Sequence, residues 1–164
     1  MTNNESLLSW EELDRILTVD IASGQLHWKS PRPKVKVGSI AGWCEYPRGY
    51  WNLCINRRRY WRHRLIWFYK HKQWPSADID HINGVAGDDR IDNLREATRS
   101  QNLQNRKLGS NNTSGHKGVS WNKRANKWEV RASGKYLGLF SQLEQALNTY
   151  SSYANVNYGE FRRI

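Results

Sequence analysis

The sequence predicts an α+β protein of two small units: a first with a short helix and a small antiparallel sheet, and a second with three strands packed on one helix. Three observations predict it. At 164 residues the chain is long enough for two small domains. Its Trp, Tyr and Phe number 9, 8 and 3, large side chains that allow a core in a short domain. The stretch LGSNNTSG, residues 108–115, has almost no apolar content and reads as a linker, giving domains over 1–107 and 116–164.

The elements follow in order. Ser9 with Glu12 forms a capping box, and Trp10, Leu13, Ile16 and Leu17 recur at helical spacing, so a short amphipathic helix opens the first unit. From Gly24 to Tyr60 the apolar runs QLHW, GSIAGW and YWNLCI are broken by Pro31, Pro33 and Pro47, which predicts a small antiparallel sheet. Residues 57–72 hold seven Arg or Lys and no acid, with His63, Ile66, Trp67 and Lys70 marking the turns of a helix. That helix breaks at Pro75. Thr98 and Gln101 form a second capping box, predicting a helix from Arg99 to Lys107. Beyond the linker, HKGVSW, KWEVRAS and KYLGLF are three strands, and Ser141 with Glu144 caps a helix bearing Leu143, Ala146, Leu147, Tyr150 and Ala154 on one face.

Charge narrows the partner. Lys and Arg number 26 against 15 Asp and Glu, a net +11, so a polyanion is expected, nucleic acid first. Cys44 and Cys54 form no CxxC pair, so neither a disulfide framework nor a four-ligand zinc site follows. No apolar run reaches membrane-spanning length and no leader pattern opens the chain, so a cytoplasmic protein is expected, in a bacterial or phage-infected host cell.

The chemistry concentrates at Asp80 and His81, followed by Asn93 after 12 positions and Asn102 after 9 more. Asp80 offers a hard charged oxygen to a divalent cation and Asn102 an amide oxygen. His81 titrates near neutrality and can take a proton from water beside a metal-bound phosphate. Adjacent strand residues face opposite ways, so a turn or bulge is expected to bring Asp80 and His81 together, with Asn93 holding the loop backbone. His63 is read as structural, because a histidine on a helix is more often structural than catalytic, and His27, His71 and His116 have no partner pattern.

DHING with these spacings, NLREATRSQNLQNR and the upstream HRLIW resemble the HNH nucleases, more narrowly the phage and intron homing endonucleases whose last motif residue is Asn; the similarity runs from about residue 20 to 107. The resemblance implies a ββα-metal motif around one divalent ion, Mg²⁺ with Mn²⁺ as the alternative and no zinc. Asp80 and Asn102 would be its ligands, His81 the general base and Asn93 the loop-holding residue. It also implies phosphodiester hydrolysis in double-stranded DNA, by nicking or by cutting both strands.

Residues 113–164 carry eight Lys or Arg against three Glu. The text from His116 to Tyr150, with its KGV, KW, GK and LGLF landmarks, looks like the ethylene-response-factor type of DNA-binding domain. That likeness implies a sheet entering the major groove, with contacts from Lys117, Trp121, Lys123, Arg124, Arg131 and Lys135 on its exposed face. The expected protein is therefore a monomeric, site-preferring DNA endonuclease. The alternative is a DNA-binding regulator with a vestigial nuclease site.

Overall fold

The computed structural model describes residues 5–106, 108, 109, 112 and 114–162. The chain divides into two compact units, Met1–Arg99 and Ser100–Ile164. Residues 110, 111 and 113 of the expected linker, and Lys107 at the expected helix end, lie outside the described residues.

In the first unit, helix α1 (Trp10–Ile16) begins as the capping box predicts: the Ser9 hydroxyl accepts from the Glu12 amide at 3.2 Å. It buries Leu13 and Ile16 and leads directly into strand β1 (Leu17–Asp20), paired antiparallel with β2 (Gln25–Trp28). The expected single sheet is in fact two. Residues 29–42 contain Pro31, Pro33 and several turns, which interrupt any ladder, and a separate sheet of order β3-β4-β5 follows (Trp43–Glu45, Tyr50–Ile55, Arg58–Trp61). Leu53, Ile55 and Tyr60 face the core from this sheet, together with Leu13, Leu17, Leu26, Leu65 and Ile66.

The start of the basic segment, Arg58–Trp61, is strand, and helix α2 spans only Arg62–His71, closed by Lys72 in the left-handed conformation at φ 55°. Its arginines are not a solvated face. Arg62 is buried against Asp89, and Arg64 forms a bidentate pair with Glu5 at 2.5 and 2.8 Å. Arg62 stands in the first helical turn, where the macrodipole disfavours a cation, and the Asp89 carboxylate offsets that cost. Strands β6 (Asp78–His81) and β7 (Leu94–Ala97) form a two-stranded ribbon that completes this unit.

In the second unit, helix α3 (Arg99–Asn105, grouped from Ser100) precedes a sheet of order β10-β9-β8 made from Val119–Asn122, Lys127–Ala132 and Lys135–Phe140. Helix α4 (Leu143–Tyr158) covers one face of that sheet, burying Ala146 against Val119 and Val130, and Ala154 beside Ala132. Its start differs from expectation: the N-cap is Gln142 and no side chain caps it, so Ser141 and Glu144 make no capping box. Gly118 is required at the head of β8. Its φ is +67°, and a Cβ there would collide with the Tyr150 ring and the Arg131 carbonyl.

Candidate active site around His81

Strand β6 delivers Asp80 and His81. The β6–β7 ladder runs from Asp78↔Ala97 through Asp80↔Arg95 to His81↔Leu94 without a bulge, so the two side chains leave opposite faces of the ribbon. The bulge expected from the sequence is absent. Both residues are nonetheless buried, because each face has its own cover.

On one face, Asp80 Oδ2 accepts from Arg95 Nε at 2.9 Å. On the other, His81 Nε2 lies 2.6 Å from Asp89 Oδ1, with Asp89 fully enclosed. The second oxygen of Asp89 accepts from Arg62 Nε at 2.6 Å, and Arg62 Nη2 donates to the Gly87 carbonyl at 2.9 Å. A carboxylate can only accept, so Nε2 of His81 carries the proton and the lone pair of the neutral ring stands at Nδ1. The Arg62–Asp89–His81 line thus fixes both the tautomer and the ring plane.

Aromatic rings wall the imidazole. Tyr50 lies 5.8 Å from His81 and His63 meets it edge-on at 5.3 Å. His63 is itself buried, its Nδ1 has no hydrogen-bond partner among the described residues, and burial pushes its pKa down to about 3. It is therefore a neutral ring at ordinary pH.

The loop between the strands is held by Asn93. Its Oδ1 accepts from the Asn83 amide at 3.0 Å, and its Nδ2 donates to the Asp88 carbonyl at 2.7 Å and to Asn83 Oδ1 at 3.1 Å. Asp88 is clamped by Arg90 at 2.7 Å through two nitrogens, which holds its carboxyl down at about 2. From behind, the β1–β2 turn presses on Asp89. Gly24, at φ +71°, packs so closely that a Cβ would lie 2.5 Å from the Arg90 nitrogen, and the Ile91 amide donates to the Ile21 carbonyl at 2.9 Å.

Two sets of groups bear on a metal ion. Asp80 is a buried hard-oxygen donor, the kind Mg²⁺ takes. Asn102 lies half-buried on α3, in the second unit. His63, His81 and Asp89 also bring one ligand atom each within 4.8 Å of one another. That second set suits a transition metal, yet both Asp89 oxygens are already engaged at 2.6 Å.

Sequence reasoning missed Asp89, Arg62, Arg95 and Gly24 as parts of this site. The available signal was an uninterrupted basic run whose arginines, once buried, demand acids elsewhere in the chain.

The second unit places the expected DNA-contact residues unevenly. Arg131 is exposed on the sheet face opposite the helix and paired with Glu129, while Lys123 and Arg124 lie exposed in the β8–β9 turn and Lys135 opens β10. Lys117 donates to the Gln104 carbonyl at 2.9 Å. Trp121 differs from expectation. It stands opposite Trp128, which packs toward the helix, and cross-strand partners share a face. It remains 40% exposed.

No helix among the described residues is long and apolar enough to cross a membrane. No solved structure is matched with significance. The chain is 42% identical over 77 residues to protein 3.8 of Escherichia phage T7, a match covering 45% of this chain and 64% of the phage protein, so the chain spans less than two thirds of that relative's length. Residues 60–104, which hold α2, the β6–β7 ribbon and all of α3 but its last residue, match the family model of the HNH endonucleases, so Arg62, His81 and Asp89 lie in a segment that matches that family.

Proposed function

We propose that the chain is a metal-dependent DNA endonuclease in which His81 is the general base and the C-terminal unit reads DNA. The observation that carries this reading is the 2.6 Å contact between His81 Nε2 and the enclosed Asp89 carboxylate, inside the segment that matches HNH endonucleases. A base needs a defined tautomer, and this arrangement supports one.

Asp80 would hold a divalent ion, Mg²⁺ or Mn²⁺, with Asn102 as the further ligand that the family resemblance implies. The ion supplies charge to the scissile phosphate when bound. This chain's own residues do the rest: His81 Nδ1 accepts a proton from the attacking water, Asp89 with Arg62 keeps the ring aligned, and Asn93 keeps the loop closed beneath it. Homing-type biology, a monomeric state and action inside an infected bacterial cell belong to the same proposal. Lys117, Lys123, Arg124, Arg131 and Lys135 would contact duplex DNA, with Trp121 reaching it from the sheet edge.

The test is His81→Ala, assayed by plasmid nicking with Mg²⁺ and by duplex binding. Cleavage should fall by about two orders of magnitude or more with binding kept. Undiminished cleavage would sink the assignment. A second reading, a DNA-binding regulator with a vestigial site, draws on the Arg95 guanidinium held at 2.9 Å from Asp80. It predicts duplex binding by the wild-type chain with no nicking at any Mg²⁺ concentration.

A further inference from the structure

The outer face of the β3-β4-β5 sheet has a chemistry that the site at His81 does not explain. The ladder sets Trp43, Asn52 and Trp61 in one row across the three strands. Residues of that row and its neighbours two apart, Glu45, Tyr50, Cys54 and Arg59, share the face turned away from Leu53 and Ile55. Trp43, on the edge strand, is 48% exposed. The Arg59 guanidinium lies over both indoles, 5.8 Å from Trp43 and 5.0 Å from Trp61, and Glu45 steadies it at 3.0 Å. Arg48, Arg57 and Arg58 are exposed nearby in the chain.

Asn52, in the middle of the row, is completely buried, yet neither its Oδ1 nor its Nδ2 has a hydrogen-bond partner among the described residues. A buried amide left unpaired costs free energy that an apolar side chain of the same size would not. Its donor and acceptor match the edge of a nucleobase. The face also connects physically to the candidate active site. Trp61 stacks on His63 at 6.2 Å and meets Tyr50 at 5.8 Å, and both of those rings contact His81.

We infer that this face is a binding subsite for a DNA strand with unpaired bases, one of which stacks on the exposed indole of Trp43 while Asn52 hydrogen-bonds a base edge and Arg59 faces the backbone. Indole faces are accessible to bases only when these leave the duplex stack, so the occupant is an unpaired strand and not an intact helix. Its negative charge complements the arginines, and its path runs toward His81. The inference rests on the nuclease reading for the identity of the polymer, and it makes locally opened DNA the preferred substrate.

The test uses the full chain without added divalent ion and compares a fluorescent oligothymidine with a blunt duplex of mixed sequence. Trp43→Ala should weaken oligothymidine binding by roughly 5- to 100-fold, the usual worth of one stacked base, and change duplex binding less than about twofold. Trp43→Phe should restore most of the loss. Asn52→Leu should weaken oligothymidine binding without lowering the melting temperature, which separates ligand recognition from folding. Unchanged oligothymidine affinity in Trp43→Ala, or an equal loss on both probes, overturns the inference. Failure of the nuclease reading shows differently: wild-type protein would not nick plasmid with Mg²⁺, while the Trp43 effect on the oligonucleotide would persist.

Discussion

Asp89 Oδ1 stands 2.6 Å from Nε2 of His81, eight residues earlier in the chain, and this buried contact joins two ends of a loop that the β-ribbon alone would leave open. The same carboxylate holds Arg62 on helix α2, so a single acid ties the ribbon, its loop and the helix together.

Asp89→Asn keeps the shape but removes the charge. It should lower nicking by about tenfold or more, because one amide oxygen cannot accept from both Arg62 and His81, and an NH2 turned to the ring favours the wrong tautomer. It should also cost roughly 3–5 kcal/mol of stability, since Arg62 is left as an unpaired buried cation. Single-turnover nicking and urea unfolding measure the two losses. Wild-type values for both would remove Asp89 from the site.

Asn93→Ala deletes three hydrogen bonds that close the 82–90 loop. Stability should drop by about 1–3 kcal/mol. Hydrogen exchange at the Asn83 and Val85 amides should accelerate, while exchange in the Leu53 and Ile55 strand stays slow. Uniform acceleration across the chain would mean that Asn93 supports the whole unit and not this loop.

His63 makes stability depend on pH. Its pKa falls from 6.5 in the unfolded chain to about 3 in the folded protein, so the unfolded state binds the extra proton between those values. Stability is complete above about pH 6.5 and declines as pH falls toward 3, by roughly 1.4 kcal/mol per unit. The lowered carboxyls of Asp14, Asp20, Asp88 and Glu129 lose their contributions only as pH falls below their ordinary values, at the acid end of the His63 range. Unfolding measured at pH 7 and pH 5 should differ by about 2 kcal/mol in the wild type and clearly less in His63→Phe. An identical difference in the variant would contradict this.

Gly118→Ala should unfold the second unit at lower temperature, with a loss of about 1–3 kcal/mol or more, because a left-handed position gains a side chain against Tyr150 and the Arg131 carbonyl. Thermal melting followed by duplex titration checks it. A variant as stable as wild type would show that Tyr150 yields freely.

Local signals were legible before the coordinates. The Ser9 cap, the start of α3 at Arg99, the three C-terminal strands and the apolar stripe of α4 all depend on neighbours within a few residues, and periodicity reports those. Asn93, expected to hold the loop backbone, bonds the Asn83 amide and the Asp88 carbonyl. Long-range pairing was not legible. Arg62 and Asp89 are 27 positions apart, and nothing in a basic run announces which of its members will be buried. Strand β5 was hidden because Arg58, Arg59, Tyr60 and Trp61 flow into helix α2 without a breaker. Trp121 was misplaced because a tryptophan beside basic residues suggests an exposed face, whereas the pairing with Trp128 turns it to the helix side.

The tight backing of Asp89 by Gly24 also bears on how much of the chain the site needs. The matched stretch 60–104 lacks both that glycine and Tyr50, so the wall behind the imidazole comes from chain that precedes it. Grafted alone onto another carrier, that stretch would bring its histidine without the scaffolding that aims it; a transferable form of this site must begin before residue 20.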